Sequence, residues 1–351
     1  MTRFISRSLA GLVALCPAIA AAQQAGPLTV GTAAAEPGTT ALGVIAVPAG
    51  KDPGYDIPVA VVRGARPGKV LALVAGSHGT EYASIMALER LIGLLDPGAI
   101  SGAVIIVPLV NIASFEQKVA HLNPVDGKNM NRFFPGSLDG TQTERASYLL
   151  TREVVDKSDH LIDLHGGDLD ESLRPYSYWT RTGRAAQDSA SRGMVLAFGL
   201  DHIIVSTDRP TDPNASRYLE NTATTRGKPS ITVEAGRAGT TEPKDIQLLI
   251  DGVYGVMAYL RMLDRPVRLV ERPVWFDRLA NVTSDATGIF YPLVERGTFV
   301  AEGMKIGYVT DYLGRPLFEA RAPAAGVILY IRAVPSMTQG ETIASVGVPA
   351  R

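Results

Sequence analysis

The chain has 351 residues, 46% of them hydrophobic, which suffices for a sizeable core and suggests about two domains at roughly 150 residues each. Its 34 Lys and Arg face 35 Asp and Glu for a formal net charge of -1, so overall charge gives no footprint for a nucleic-acid partner. The single cysteine, Cys16, excludes a disulfide framework, and with the leader removed it excludes thiolate metal sites and cysteine nucleophiles.

In chain order, Arg3 and Arg7 precede an apolar stretch from Leu9 to Ala22 that ends in Ala20-Ala21-Ala22. This is the three-part pattern of a secretory signal over residues 1–22. The stretch is short and broken by Gly11 and Pro17, so no stable membrane span is expected after cleavage, and the mature chain is expected to be periplasmic or secreted. An uncleaved N-terminal anchor is the alternative, and the large Leu15 argues against lipidation of Cys16. Cleavage removes two arginines and takes the net charge from -1 to about -3. Residues 23–41, rich in Ala, Gly, Pro and Thr without periodicity, read as a flexible lead-in.

From 42 to 265 short apolar runs alternate with helical spacing. Val70–Ala75, Ala103–Pro108, His160–Leu164 and Ser230–Val233 read as buried strands. Tyr82–Leu95, Glu144–Val155 and Pro243–Leu263 read as helices, the last opened by Pro243 in its first turn. The alternation predicts an α/β domain on a largely parallel or mixed sheet, with ligands at the carboxyl ends of its strands. After Arg265-Pro266 only short β-type runs remain, at Gly288–Val294, Thr298–Val300, Lys305–Val309, Gly326–Ile331 and Thr342–Val346. They predict a smaller all-β domain over 266–351.

Three strand ends carry the chemistry. In Gly76-Ser77-His78-Gly79-Thr80-Glu81, a spacing of three lets the imidazole and the carboxylate turn toward one point, and small residues permit a tight turn. The bland alternative is a dipole-favoured helix glutamate beside a hydrogen-bonded histidine. His165, in Asp163-Leu164-His165-Gly166-Gly167, shares its face with Asp163, which could orient it as a metal ligand. Otherwise it is a satisfied core histidine. Glu234 closes another apolar strand, where a carboxylate is costly without a partner or a task. It is a general-base candidate, or an ion-pair partner of Arg237 or Arg217. Two imidazoles, one ligand carboxylate and one spare carboxylate are what a catalytic zinc site needs: three protein ligands, an open position and a nearby base. Asn131 and Arg132, within Asp126–Gly136, add a neutral donor-acceptor and a bidentate fork suited to a substrate carboxylate.

These motifs resemble those of the succinylglutamate desuccinylase/aspartoacylase family, within the wider zinc carboxypeptidase-like fold. The segments 76–81, 129–136, 163–166 and 232–236 match the family's first ligand pair, substrate-binding signature, third ligand and base, in that order, and the likeness runs from about Leu42 to the C-terminus. The resemblance implies that His78, Glu81 and His165 hold one zinc ion (Zn2+), that Glu234 moves the proton from water to the leaving amine, and that Asn131 and Arg132 grip a substrate carboxylate. It implies a three-layer domain with a mixed sheet, followed by a barrel-like C-terminal domain that narrows the active-site mouth. One departure stands out. Many relatives carry an arginine shortly before the Asn-Arg pair that polarises the scissile carbonyl, and residues 118–124 contain none. Lys118, His121 or Arg217 is expected to substitute. Two loops, Leu173–Trp179 and Thr207–Tyr218, are expected to shape specificity.

The expected activity is removal of an acyl group from a small N-acyl amino acid or a similar carboxylate-bearing amide. The alternatives are a metallocarboxypeptidase acting on peptides or cell-wall fragments, and a non-catalytic zinc or solute-binding envelope protein. No motif specifies the acyl group, the amine portion or the oligomeric state.

Overall fold

The computed structural model describes residues 26–350, so the signal expected over 1–22 lies outside the described residues. Within them, 28–41 is not an irregular lead-in. Leu28–Val30 (β1) and Ala33–Ala35 (β2) pair antiparallel, and Thr39–Val47 (β3) follows. The alanines that read as low complexity are core: Val30, Ala33 and Ala35 are fully buried among side chains of β3 and its neighbour. Gly31 turns between β1 and β2 at φ 55°, where a Cβ would fall 2.1 Å from the Val44 carbonyl oxygen.

Tyr55–Arg63 (β4), Arg66–Ala75 (β5), Tyr82–Leu94 (α1), Ser101–Val107 (β6), Ile112–Gln117 (α2) and Gln142–Leu150 (α3) come next. His160–His165 (β7), Glu171–Thr180 (β8), Ala185–Phe198 (α4), His202–Ser206 (β9), Leu219–Thr225 (α5), Ser230–Arg237 (β10) and Pro243–Tyr259 (α6) complete this part. The helical spacing read over 144–155 resolves into α3 and a wider turn at Thr151–Val155. The two-residue period of β5 assigns its faces. Leu71, Leu73 and Ala75 cluster with side chains of α1, α4 and α6, while Ala72 and Val74 cluster with those of α3 and α5. Helices therefore cover both faces. The sheet is mixed: β5 pairs parallel with β6 and β7, β7 with β10, and β8 antiparallel with β10.

Leu173–Trp179 is strand β8 and not a loop. Pro175 cannot donate to a ladder. It sits where the register slips, Glu234 pairing with Tyr176 but Gly236 with Leu173. The tail clamps this bulge, Arg296 Nη1 donating to the carbonyls of Leu173 (2.7 Å) and Gly236 (2.9 Å).

The tail is all strand, as expected: Val274–Thr283 (β11), Gly288–Pro292 (β12), Phe299–Val300 (β13), Lys305–Thr310 (β14), Pro316–Arg321 (β15), Gly326–Arg332 (β16), Ser336–Met337 (β17) and Thr342–Pro349 (β18). The expected division at 265/266 does not break the sheet, however. β11 extends it from β9, and β18, β16 and β13 follow, giving 12 strands. β16 also pairs with β8, so β8, β9, β11, β18 and β16 close into a ring around Leu173, Ile204, Phe276 and Leu329. β12, β14, β15 and β17 form a separate four-stranded sheet. Among the described residues no helix is long and apolar enough to cross a membrane.

Candidate active site

Parallel register brings the strand ends together. Ala75 is paired with Leu164, and His165 with Glu234, so the ends of β5, β7 and β10 lie side by side. Beyond β5 the chain turns at Gly76, φ 69°, and packs so tightly against α2 that a Cβ on Gly79 would fall 2.3 Å from the Phe115 nitrogen. Glu81 stands at the N-cap of α1, yet its carboxylate makes no capping bond. It turns inward. His78 Nδ1 lies 2.7 Å from Glu81 Oε1, His165 Nδ1 lies 2.9 Å from Oε2, and the Gly166 N–H donates to Oε2 at 3.1 Å. The two ring centroids are 5.2 Å apart.

The outer ring nitrogens are also engaged. His78 Nε2–H donates to Asn129 Oδ1 at 3.1 Å. The Nδ1 atoms of both rings thus face the oxygens of one carboxylate, a contact that positive charge must hold, either a proton on the ring or a cation among the three groups. A divalent cation supplies that charge, so the three groups fit one as ligands, and their donor atoms lie within 4.8 Å of one another. His165 Nε2 lies 3.2 Å from Asp163 Oδ1 and 3.1 Å from Asn131 Nδ2. Burial alone would raise the Glu81 carboxyl; the charges of His165 and His78 override it and hold the group far below the usual range. Burial would lower His165, but Asp163 and Glu81 raise it well above the ordinary imidazole value.

These groups border a cavity of about 600 Å³ that also takes in Glu234, His121, Arg132 and Arg209. Burial pushes the Glu234 carboxyl well up; His165 opposes this, and Glu81 and Glu171 add to it. Glu234 forms no ion pair with Arg237 or Arg217 among the described residues. The Tyr218 ring lies between two guanidiniums, Arg132 at 4.9 Å and Arg209 at 4.0 Å from its centroid. Neither arginine meets a carboxylate among the described residues.

Some expectations change. Arg217 does not reach the cavity: its backbone bridges to Phe134, docking the 207–218 loop on the Asn-Arg segment, and its side chain is exposed. Lys118 is exposed as well, whereas His121 lines the cavity. Asn131 lines the cavity with both ends occupied, its Oδ1 accepting from Leu219 N at 2.9 Å and its Nδ2 lying against His165. It therefore positions neighbours before it meets any ligand. Sequence reading missed Asn129, Arg209 and Glu171. Asn129 sat inside the signature at 129–136 and was legible there. Arg209 lies in an unpatterned Pro-rich loop and Glu171 at the start of the unrecognised β8, so neither carried a signal.

The succinylglutamate desuccinylase/aspartoacylase catalytic domain matches residues 67–260. An N-alpha-acetyl-L-2,4-diaminobutyric acid deacetylase of Halomonas elongata is 30% identical over 294 residues, covering 82% of this chain and 84% of that protein. The product-bound ectoine utilization protein EutE (DoeB) of Ruegeria pomeroyi is 25% identical with a TM-score of 0.79, over 88% of this chain and 95% of that one. A succinylglutamate desuccinylase/aspartoacylase structure from Rhodobacter sphaeroides, 23% identical with a TM-score of 0.79 over 89% and 96%, shares the fold. With the catalytic domain matched across more than half its length and a relative 30% identical along most of it, the chain belongs to the succinylglutamate desuccinylase/aspartoacylase family of amide hydrolases.

Proposed function

We propose that the protein is a zinc-dependent deacylase that removes the acyl group from a small N-acyl amino acid. One observation carries the reading: two imidazole Nδ1 atoms approach the two oxygens of one buried carboxylate at 2.7 and 2.9 Å, beside a cavity that also holds Glu234. His78, Glu81 and His165 would hold one zinc ion, since two nitrogens and a carboxylate suit that metal. A bound zinc ion supplies Lewis acidity that polarises an amide carbonyl and lowers the pKa of water.

The protein's own groups do the rest. Arg132 grips the substrate carboxylate through paired N–H bonds, and Arg209, across the Tyr218 ring, adds a second positive charge. Glu234 takes the proton of the attacking water and delivers it to the leaving nitrogen. His121 is pushed up to about 9: burial lowers it, but the hydrogen bond to Asp170 and the charges of Glu171 and Asp168 outweigh that. It is thus a cation at the cavity wall whose two ring nitrogens face Asp170 and Asp168, so it acts on the oxygen of the breaking amide through its charge, in place of the arginine absent from 118–124. Leu279, Leu329 and Tyr330 of the tail wall the cavity, which favours small amides over peptide chains. In this reading the helix-covered mixed sheet is zinc carboxypeptidase-like and the tail acts as a mouth-narrowing C-terminal domain. Export to the periplasm or beyond is proposed on the opening residues alone.

Metal analysis of the purified protein, followed by a panel of N-acyl amino acids with and without chelator, tests the reading. One zinc per chain is expected, with turnover abolished by chelation and restored by zinc. Full activity without metal, or turnover confined to peptides of several residues, would sink it.

A further inference from the structure

One end of the cavity carries more acid than base. Four carboxyls, those of Asp168, Asp170, Glu171 and Glu341, surround two cations, His121 and Arg332. His121 Nε2 is 2.8 Å from Asp170 Oδ1, and its Nδ1 is 3.2 Å from Asp168 Oδ2. Arg332 Nη1 contacts Asp170, and its Nη2 lies 3.3 Å from Glu341 Oε2. Each cation is thus shared by two carboxylates, and Glu171 is left over. One of its oxygens accepts the Asp168 N–H at 3.2 Å; the other has no hydrogen-bond partner among the described residues, on a side chain that lines the cavity. Burial pushes this carboxyl up to about 7, with the charge of Glu81 adding to the rise and His121 opposing it. The His121 charge that opposes the rise is already held by Asp170 and Asp168, so Glu171 has no ion-pair partner of its own among the described residues.

Two occupants have the right charge. A second divalent cation could be offered atoms of His121, Asp170 and Glu171, which lie within 4.8 Å of one another. The Arg332 guanidinium and the His121 cation, both against Asp170, repel a doubly charged ion about twice as strongly as a singly charged one. An organic ammonium needs only the open oxygen of Glu171. Sequence likeness points the same way independently, because the 30% identical deacetylase is named for an acetylated diamino acid, whose second amine is a primary ammonium.

We propose that Glu171 is a specificity-determining residue that takes a primary ammonium group of the substrate while Arg132 takes its carboxylate. The assignment rests on the deacylase reading above. The ammonium belongs either to the side chain of the released amino acid or to the acyl group. Two pairs of compounds separate these sources: Nα-acetyl-2,4-diaminobutyrate against Nα-acetylnorvaline, and glycylnorvaline against propionylnorvaline. In each pair an ammonium replaces a methyl group.

For the zinc-loaded wild type, kcat/KM for the ammonium-bearing member of at least one pair is expected to exceed its neutral counterpart by about tenfold or more. Glu171→Gln is expected to lower that ratio by about tenfold, with the zinc content unchanged. A general structural role would depress both members alike and leave the ratio in place. Hydrolysis of the neutral compounds without preference for either charged one overturns the ammonium assignment and leaves the deacylase reading standing. A preference that survives Glu171→Gln, or a second metal equivalent lost with that substitution, overturns it too. Failure of all four compounds while other N-acyl amino acids are hydrolysed overturns the ammonium assignment alone, and failure of the whole N-acyl panel removes the deacylase reading with it. The wild-type ratios need no variant, so misfolding of Glu171→Gln would not shelter the proposal.

Discussion

Glu81 is the residue on which the site turns. At the first turn of a helix a carboxylate ordinarily faces the helix amides; here it is withdrawn to face two imidazoles. Glu234, its counterpart across the cavity, forms no ion pair among the described residues, and burial keeps it basic against the opposing charge of His165. Glu234→Gln is therefore expected to retain zinc while kcat falls by about 10²–10⁴-fold, checked by steady-state kinetics beside metal analysis. The arginines give a second expectation. Arg209→Ala should raise KM for a carboxylate substrate by about tenfold, whereas Arg217→Ala, at an exposed position, should leave KM within about twofold. An equal effect of both would return Arg217 to the site. His165 and Glu234 were legible because each closes an apolar run, where a polar group needs a reason, and His78 and Glu81 because they sit three apart in the small-residue turn that follows one. Arg209 was not, since an arginine in a polar loop has no pattern to stand out from.

At the level of elements, the segment carrying Arg132 is braced by α3. Thr141 and Glu144 form a capping box there, and Gly136 packs on the helix at φ 85° with room for no Cβ, which would lie 2.1 Å from the Tyr148 nitrogen. Gly136→Ala should cost about 2 kcal/mol or more and raise KM, read by denaturant unfolding and kinetics. Strand β7 begins with His160, whose pKa is lowered to about 4 by burial first and then by the charge of Lys69. Because the folded value lies below the unfolded one near 6.5, the neutral ring favours folding above pH 6.5. That advantage is lost as pH falls toward 4, at most about 3 kcal/mol. His160→Gln should flatten the stability profile across that window, and an unchanged profile would contradict the assignment. Strands β5, β6, β7 and β10 were readable as buried apolar runs. β8 was not, because Pro175 breaks the pattern and only pairing on both sides holds it in the sheet. The β1–β2 hairpin was missed because alanines look featureless until something packs on them.

Taken whole, the molecule is one closed structure in which the tail completes what the α/β part begins. β16 and β11 flank β8 and β9, and the tail supplies Arg332, Tyr330 and Leu279 to the cavity. A chain ending at Arg265 would expose the edge of β9 and the apolar ring around Leu173 and Ile204. It is expected to be insoluble or aggregated, checked by soluble expression and size-exclusion chromatography; a soluble, cooperatively melting fragment would show the two parts to be independent.

What the sequence determined by itself was local: strand ends announced by apolar runs, ligands spaced three apart, a base two residues before a glycine, and a tail without helices. Those signals are short-range because hydrophobic period and turn chemistry act within a few residues. The tertiary structure alone decided that residue 165 meets 234 across a parallel pair, that Arg209 and not Arg217 enters the cavity, and that the tail's strands join the catalytic sheet. Such outcomes depend on pairing between segments tens of residues apart or more, where the free energy lies in packing and hydrogen bonds that no single stretch of sequence contains.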